Sequence, residues 1–238
     1  MPAFIAAIGA SMSTVKDNIS RVRERISTAA ARSRRPPEEI TLVAVTKTVN
    51  SDSIRHAIAA GLTHFGENYV QEAREKIEVL HDPDIDWHFI GHLQTNKAKY
   101  AVRLFDWIHS LDSVKLVQEL NNKASGAGRV IPCLIEVNLA GEESKFGVDQ
   151  VRVVNLAEEV TRCSHLSLRG LMTMPPYTEE PERSRPYFVR LRGLKEALQE
   201  HHIMTTDLSM GMSADFEVAI EEGATIVRVG RAIFGERS

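Results

Sequence analysis

Two cysteines in 238 residues are too few for a disulfide framework, and Cys133 and Cys163 stand in neither a metal-binding nor a redox spacing. That scarcity predicts reduced thiols, with Cys133 buried in a strand, and a cytoplasmic location. Charge of one sign is also missing. Against 29 Lys and Arg stand 32 Asp and Glu, a net charge of −3, so no general attraction to nucleic acid is expected. The one basic run, Arg32, Arg34 and Arg35, suits an exposed connection between a helix and a strand. No apolar stretch approaches the roughly 20 residues of a bilayer span, so no membrane insertion is expected. Residues 3–10 resemble a short signal core, but no Lys or Arg precedes them. Residues 1–11 are therefore expected to be a disordered extension, with Met12 as good a start as Met1. Walker glycine patterns and a nucleophile elbow are absent, which removes nucleotide kinases and serine hydrolases.

What is present is an alternation of short apolar strands with amphipathic helices. Val15, Ile19, Val22, Ile26 and Ala29 recur in steps of four and three, the stripe of a helix packing one face on something. The run from Ile40 to Lys47 is the first strand; Ser51–Asp52–Ser53 is expected to cap a helix that Gly61 stops. Further strands are predicted at 64–66, 87–91, 107–110, 130–137, 168–172, 207–209 and 225–229, each followed by a helical pattern; Asp112 and Ser113 cap the helix after the fourth. Eight parallel strands with crossover helices in one domain predict a closed (β/α)8 barrel with an extra N-terminal amphipathic helix, residues 1–238 forming a single unit. An open doubly wound sheet is the alternative, and it would need fewer strands.

Lys47 ends the first strand. A lysine there ordinarily just solvates the strand end, but a desolvated amine sheds its proton more readily and can attack a carbonyl to form a Schiff base. A second cluster, Ser209–Met210–Gly211–Met212–Ser213 with Arg228–Val229–Gly230–Arg231, has the small residues and strand-to-helix turns of a phosphate cradle, helped by the following helix dipole. In a barrel, active sites lie at the carboxyl ends of the strands and phosphate often binds after strands seven and eight. Closure makes strand one the neighbour of strand eight, so amine and cradle meet. Together they point to a phosphorylated aldehyde.

The ordered set Thr46–Lys47, His64–Phe65–Gly66–Glu67–Asn68–Tyr69, Trp87 to Gln94, Arg169–Gly170–Leu171–Met172 and Leu208 to Ser213 resembles the YggS/PROSC family of pyridoxal phosphate homeostasis proteins, from about Met12 to Gly235. The resemblance implies a barrel like that of the N-terminal domain of alanine racemase, with pyridoxal 5'-phosphate carried as a Schiff base on Lys47. It implies that Ser209, Met212, Ser213, Gly230 and Arg231 surround the phosphate and that Arg228 faces the pyridine nitrogen. A permanently charged arginine there disfavours a second proton on the ring and weakens it as an electron sink. Asn68 is expected to bond the ring hydroxyl or a water, to cap the next helix, or both.

Other residues carry less. Glu67 is expected to orient a neighbour or to be solvated. His88 and His92 have the spacing of helical zinc ligands, but they fall on or beside a strand, so no metal is expected. His201 and His202 should face solvent, as should the loop pairs Glu142–Glu143 and Glu179–Glu180. Ser144–Lys145–Phe146–Gly147 either shapes the pocket mouth or is an ordinary turn, and Met172, Met174, Pro175 and Pro176 either line a wall or simply pack. The expected role is an intracellular carrier or buffer of pyridoxal phosphate without robust turnover, with cofactor-requiring apoenzymes as partners and a monomeric barrel; a part in vitamin B6 and amino acid balance is what the resemblance implies. An amino acid racemase-like enzyme is the alternative, though racemisation needs a second base on the opposite face. A Schiff-base aldolase ranks third.

Overall fold

Runs such as Thr41–Val45 and Ile131–Glu136 are apolar without alternation because both faces of each strand are covered, one by the barrel lumen and the other by helices. The computed structural model describes residues 2–142 and 146–235, with side chains from residue 14 onward. Helix α1 spans Pro2–Arg32. The barrel repeats follow as β1 (Thr41–Val45), α2 (Ser51–Ala59), β2 (His64–Glu67), α3 (Val70–Leu80), β3 (Asp86–Phe89), α4 (Ala98–Leu104), β4 (Trp107–Leu111) and α5 (Val114–Gly126). The second half is β5 (Ile131–Glu136), α6 (Val153–Thr161), β6 (Leu166–Met172), α7 (Arg185–Glu200), β7 (Asp207–Ser209), α8 (Phe216–Glu221), β8 (Ile226–Val229) and α9 (Arg231–Phe234). The strands form a closed parallel barrel in sequence order, sealed by β1 on β8 with Thr41 opposite Ile226 and Ala44 opposite Val229. Every expected strand is found within two residues, and the open-sheet alternative falls.

Two apolar clusters divide the work. Val43, Leu134, Met172 and Ile226, with Trp107 against them, fill the lumen. A larger cluster, including Phe65, Phe89, Ile108, Leu120 and Phe188, lies between strands and helices. Burial of each large side chain contributes roughly 1.5–3 kcal/mol.

Helix α1 sits across the seam where the barrel closes, packed on α2, α8 and α9. Its stripe Val15, Ile19, Val22, Ile26 and Ala29 is buried as its spacing requires. Arg25 pairs with Glu217 at 2.6 Å and lies over the Phe216 ring, while Arg35 donates to the carbonyls of Ile220 and Ala224. The basic run is thus partly a structural tie. The helix also reaches back to Pro2, into the segment expected to be a disordered extension; alanines 3, 6, 7 and 10 have high helix propensity, which a search for a packing stripe overlooks.

Two caps differ from expectation. Asn50, not Ser51–Asp52–Ser53, caps α2 by accepting from Ser53 N, and α3 has Tyr69 at its cap position, so Asn68 does not cap it. Ser113 caps α5 as predicted. Met1, Glu143, Ser144, Lys145 and residues 236–238 lie outside the described residues, and with them part of the loop expected to shape the pocket mouth.

Candidate functional site at the carboxyl mouth

Lys47 lies two residues beyond β1, in a turn whose neighbours on both sides are tied to one buried ion cluster. Thr46 continues the ladder through its N–H to the Gly66 carbonyl, and its hydroxyl donates to Glu67 Oε1 at 2.6 Å. Thr48 takes a positive φ of 63° and donates its N–H to Glu72. Lys76 Nζ joins them, 2.6 Å from the Thr46 carbonyl, 2.7 Å from Glu67 Oε1 and 2.6 Å from Glu72 Oε1. Glu67 is fully buried; burial raises its pKa, and the bonds from Lys76 and Thr46 pull it back. Glu67 therefore orients the Lys47 turn rather than facing solvent. Lys76 escaped the sequence reading, although a lysine beside Ala73, Ile77 and Leu80 on the inward side of a helix was a visible signal.

The turns after β7 and β8 form the opposite wall of a cavity of about 370 Å³ that Lys47 and Asn68 also line. Met212, Ser213, Gly230 and Arg231 all face it. Asp215 accepts the Met212 N–H at 2.7 Å, and Ser213 Oγ accepts the Ala232 N–H at 3.3 Å, so one hydroxyl links both turns. The backbone N–H groups of Ser213, Ala214 and Gly230 find no acceptor among the described residues. Glycine is required at 211, where φ is +91° and a Cβ would stand 2.6 Å from that of Ala219. The expected help from helix dipoles is small, because α8 has six residues and α9 four, too few aligned peptides to build a strong field.

Arg228 closes the floor. It is 2% exposed, donates from Nη1 to Ser209 Oγ at 2.5 Å and from Nη2 to the Thr173 carbonyl at 2.8 Å, and reaches the cavity. Burial lowers its pKa to about 10, with the carboxylates of Glu136 and Asp215 opposing, so it stays charged at neutral pH. Ser209 is brought beneath the cavity rather than into its lining: its hydroxyl is held between Arg228 and His109 Nδ1, 3.0 Å away. The strand pleat explains this, since the last residue of β7 points into the lumen while the turn after it rises to the mouth.

A second, larger cavity of about 690 Å³ adjoins the first and shares Asn68 and Met174 with it. Gly91 lets these walls approach, for a Cβ there would meet the Asn68 carbonyl at 2.4 Å. His92 stacks on Phe146 with ring centres 3.7 Å apart at the rim, while His88 lies inside the barrel. Met174 and Pro176 line the first cavity, but Met172 and Pro175 are buried, Met172 in the lumen. His201 and His202 are exposed, as expected.

Glu136 ends β5, lines the larger cavity at 3% exposure, and its carboxyl bonds none of the described residues. Burial pushes its pKa up to about 7 against the pull of Arg228, with Asp112 adding to the rise. A carboxyl whose folded pKa exceeds its unfolded value costs nothing below the unfolded pKa; the cost grows as pH rises to the folded pKa and is complete above it. Glu136→Gln should match the parent near pH 4 and exceed it by up to about 3 kcal/mol near pH 9. Denaturant melts at both pH values measure this, and equal stability throughout would contradict it.

The first cavity thus joins a lysine amine, a set of backbone N–H donors suited to an anion, and a buried cation, which fits a phosphorylated carbonyl compound. The family model of the alanine racemase N-terminal domain matches residues 14–238. The pyridoxal phosphate homeostasis protein of Aquifex aeolicus is 48% identical over 93% of this chain and 97% of its own. That of Escherichia coli K12 is 42% identical over 95% and 98%. The solved structure of PipY from Synechococcus elongatus with PLP bound superposes with a TM-score of 0.79 at 39% identity, covering 90% of this chain and 100% of that one.

Proposed function

The chain belongs to the pyridoxal phosphate homeostasis proteins of the alanine racemase N-terminal domain family, and from that premise we propose that it is an intracellular carrier of pyridoxal 5'-phosphate anchored on Lys47. The observation that carries the reading is the meeting of Lys47, the two N–H-rich turns and Arg228 around one cavity. When bound, the cofactor supplies an aldehyde for the lysine to capture as a Schiff base and a phosphate for the turns to hold. Ser213, Ala214 and Gly230 offer N–H donors to that phosphate, Arg231 lies on the same wall, and Met212 packs beside them. Arg228 presents a charge to the ring nitrogen and keeps it unprotonated, which withholds the electron sink that carbon-acid chemistry needs. Asn68 stands on the wall between the two cavities, within the lining of both, where it serves the ring hydroxyl.

The residues also favour loading and unloading over turnover. Lys47 is half-exposed and Tyr177 at the cavity edge is 69% exposed, so water reaches the amine. Racemisation would require a second base held opposite Lys47 in a dry site. No helix of the described residues is long and apolar enough to cross a membrane. Recipients would be apoenzymes that require the cofactor.

The test mixes loaded protein with a cofactor-free apoenzyme and, separately, with amino acids. The apoenzyme should regain activity while racemisation and decarboxylation stay at the level of free cofactor. Saturable turnover that disappears on mutating Lys47 would overturn the carrier role in favour of the racemase-like alternative.

A further inference from the structure

Three histidines on different strands stand nitrogen to nitrogen through the lumen. His64 Nδ1 lies 3.1 Å from His88 Nε2, His88 Nδ1 lies 2.9 Å from His109 Nε2, and His109 Nδ1 lies 3.0 Å from Ser209 Oγ, which Arg228 also meets. His64 opens β2 at the amino mouth; Arg228 reaches the cavity at the carboxyl mouth. We propose that His64, His88, His109 and Ser209 are positioning residues, a single hydrogen-bond chain of locked polarity that conveys the protonation state of His64 to the guanidinium of Arg228. The proposal deepens the carrier reading, because Arg228 is the cation given to the cofactor ring.

Donors and acceptors fix the polarity of the chain. A neutral imidazole has one N–H and one lone pair, and His88 and His109 each use both nitrogens, so the direction of one link sets the direction of all. Burial holds both rings well below the usual imidazole range, with His64 acting on His88 and with His88 and Arg228 acting on His109, so these rings change tautomer rather than charge. Trp107 is stacked on His88 at 5.6 Å and 14°, which fixes the ring plane. At the inner end Arg228 can only donate, so Ser209 Oγ accepts from it. Accepting from Arg228 leaves the hydroxyl its own proton, and His109 Nδ1, 3.0 Å away, is the acceptor that the hydrogen bonds of the described residues offer it, so the resting state assigns the proton there. This sets the resting direction: His109 and His88 carry their protons on Nε2, and His64 Nδ1 accepts.

Uptake of a proton by His64 reverses that direction. Its Nδ1 becomes a donor and confronts the donor on His88. The conflict is relieved when His88 and His109 both move their single proton from Nε2 to Nδ1. Each buried ring keeps one proton and Ser209 keeps its own, so the only proton gained is the one His64 takes from solvent. Ser209 Oγ then accepts from His109 as well as from Arg228 through its two lone pairs, and its hydroxyl proton rotates off His109 with no other acceptor among the hydrogen bonds of the described residues, a cost carried by the protonated state. Arg228 must share its acceptor. The titratable groups facing His64 are Asp86, with Oδ2 3.4 Å from the same Nδ1, and His88, both on β3; β1 on its other side has no ionisable side chain. Burial lowers the His64 pKa and Asp86 partly restores it.

The experiment is a long-range proton–nitrogen NMR titration of cofactor-free protein labelled at histidine and arginine. His88 and His109 should carry Nε2–H above the His64 midpoint and Nδ1–H below it, in step, with the Arg228 guanidinium resonances moving at the same midpoint. In His64→Gln, a partly exposed position, the step should vanish while the barrel stays folded. Tautomers that stay fixed while His64 titrates overturn the proposal, as does a tautomer change that leaves Arg228 unmoved or that persists in His64→Gln. Because no cofactor is present, failure here is distinct from failure of the carrier reading.

Discussion

Lys47→Ala should give a barrel that melts like the parent and takes up no borohydride-fixable pyridoxal phosphate. The side chain is half-exposed, at the cavity edge, and outside both apolar clusters, so its removal belongs with surface substitutions of about ±0.5 kcal/mol. The chemical loss is complete by comparison. Without the amine no covalent bond to the aldehyde forms, and retention falls to what the two turns and Arg228 provide, a drop of roughly 100-fold or more, or about 3 kcal/mol. Lys47→Arg separates charge from nucleophilicity, since a guanidinium keeps the charge but stays protonated. It too should remain colourless. Visible absorbance, borohydride trapping and mass spectrometry of the labelled peptide measure the result. A trapped adduct of undiminished yield in Lys47→Ala would move the anchor to another amine, with Lys97 on the larger cavity the first to examine.

The largest loss of stability is expected from Lys76→Met. Lys76 and Glu67 are both buried, and removing one member of such a pair leaves an uncompensated charge, typically at a cost of about 3–5 kcal/mol. For a chain of this size that corresponds to a fall in Tm of roughly 8–15 °C. The pH dependence follows from the direction of the Glu67 shift. Burial already raises its folded pKa, and loss of the lysine raises it further. The penalty is then small below the unfolded carboxyl pKa and grows as pH climbs toward the folded one, so Lys76→Met should lie nearest the parent in acid. Glu67→Gln with Lys76→Met should recover most of the loss, and the double-mutant cycle should give a coupling well above the value for an exposed pair. The same variant loosens the clamp on the Thr46 carbonyl, so Lys47 should load more slowly at unchanged cradle affinity. Thermal melts at pH 5 and 8 with stopped-flow loading test both halves; a variant as stable as its parent would mean the cluster is not energetically coupled.

Strands from Thr41–Val45 to Ile226–Val229 were legible because a barrel strand buried on both faces must be apolar throughout. Turn chemistry was legible at Gly211, Ser213 and Gly230, where small residues follow a strand. Asn50 was missed as a cap because Ser51 and Ser53 offered equally good side chains, and only the chain path decides whose oxygen meets the free N–H. Ser209 was grouped with the phosphate turn because it adjoins that turn in sequence, whereas the pleat turns it inward to Arg228.

The sequence by itself determined the alternation of elements, the amine after the first strand and the small-residue turns after the last two, since each rests on local periodicity or on residues adjacent in the chain. Only the tertiary structure decided that Lys76 would steady the Lys47 turn and that His64, His88, His109, Ser209 and Arg228 would lie in one line. The physical reason is closure. When parallel strands tilt and shear into a barrel, positions far apart along the chain fall into common interior layers, and which polar side chains face one another there depends on register, a property no single stretch of chain contains.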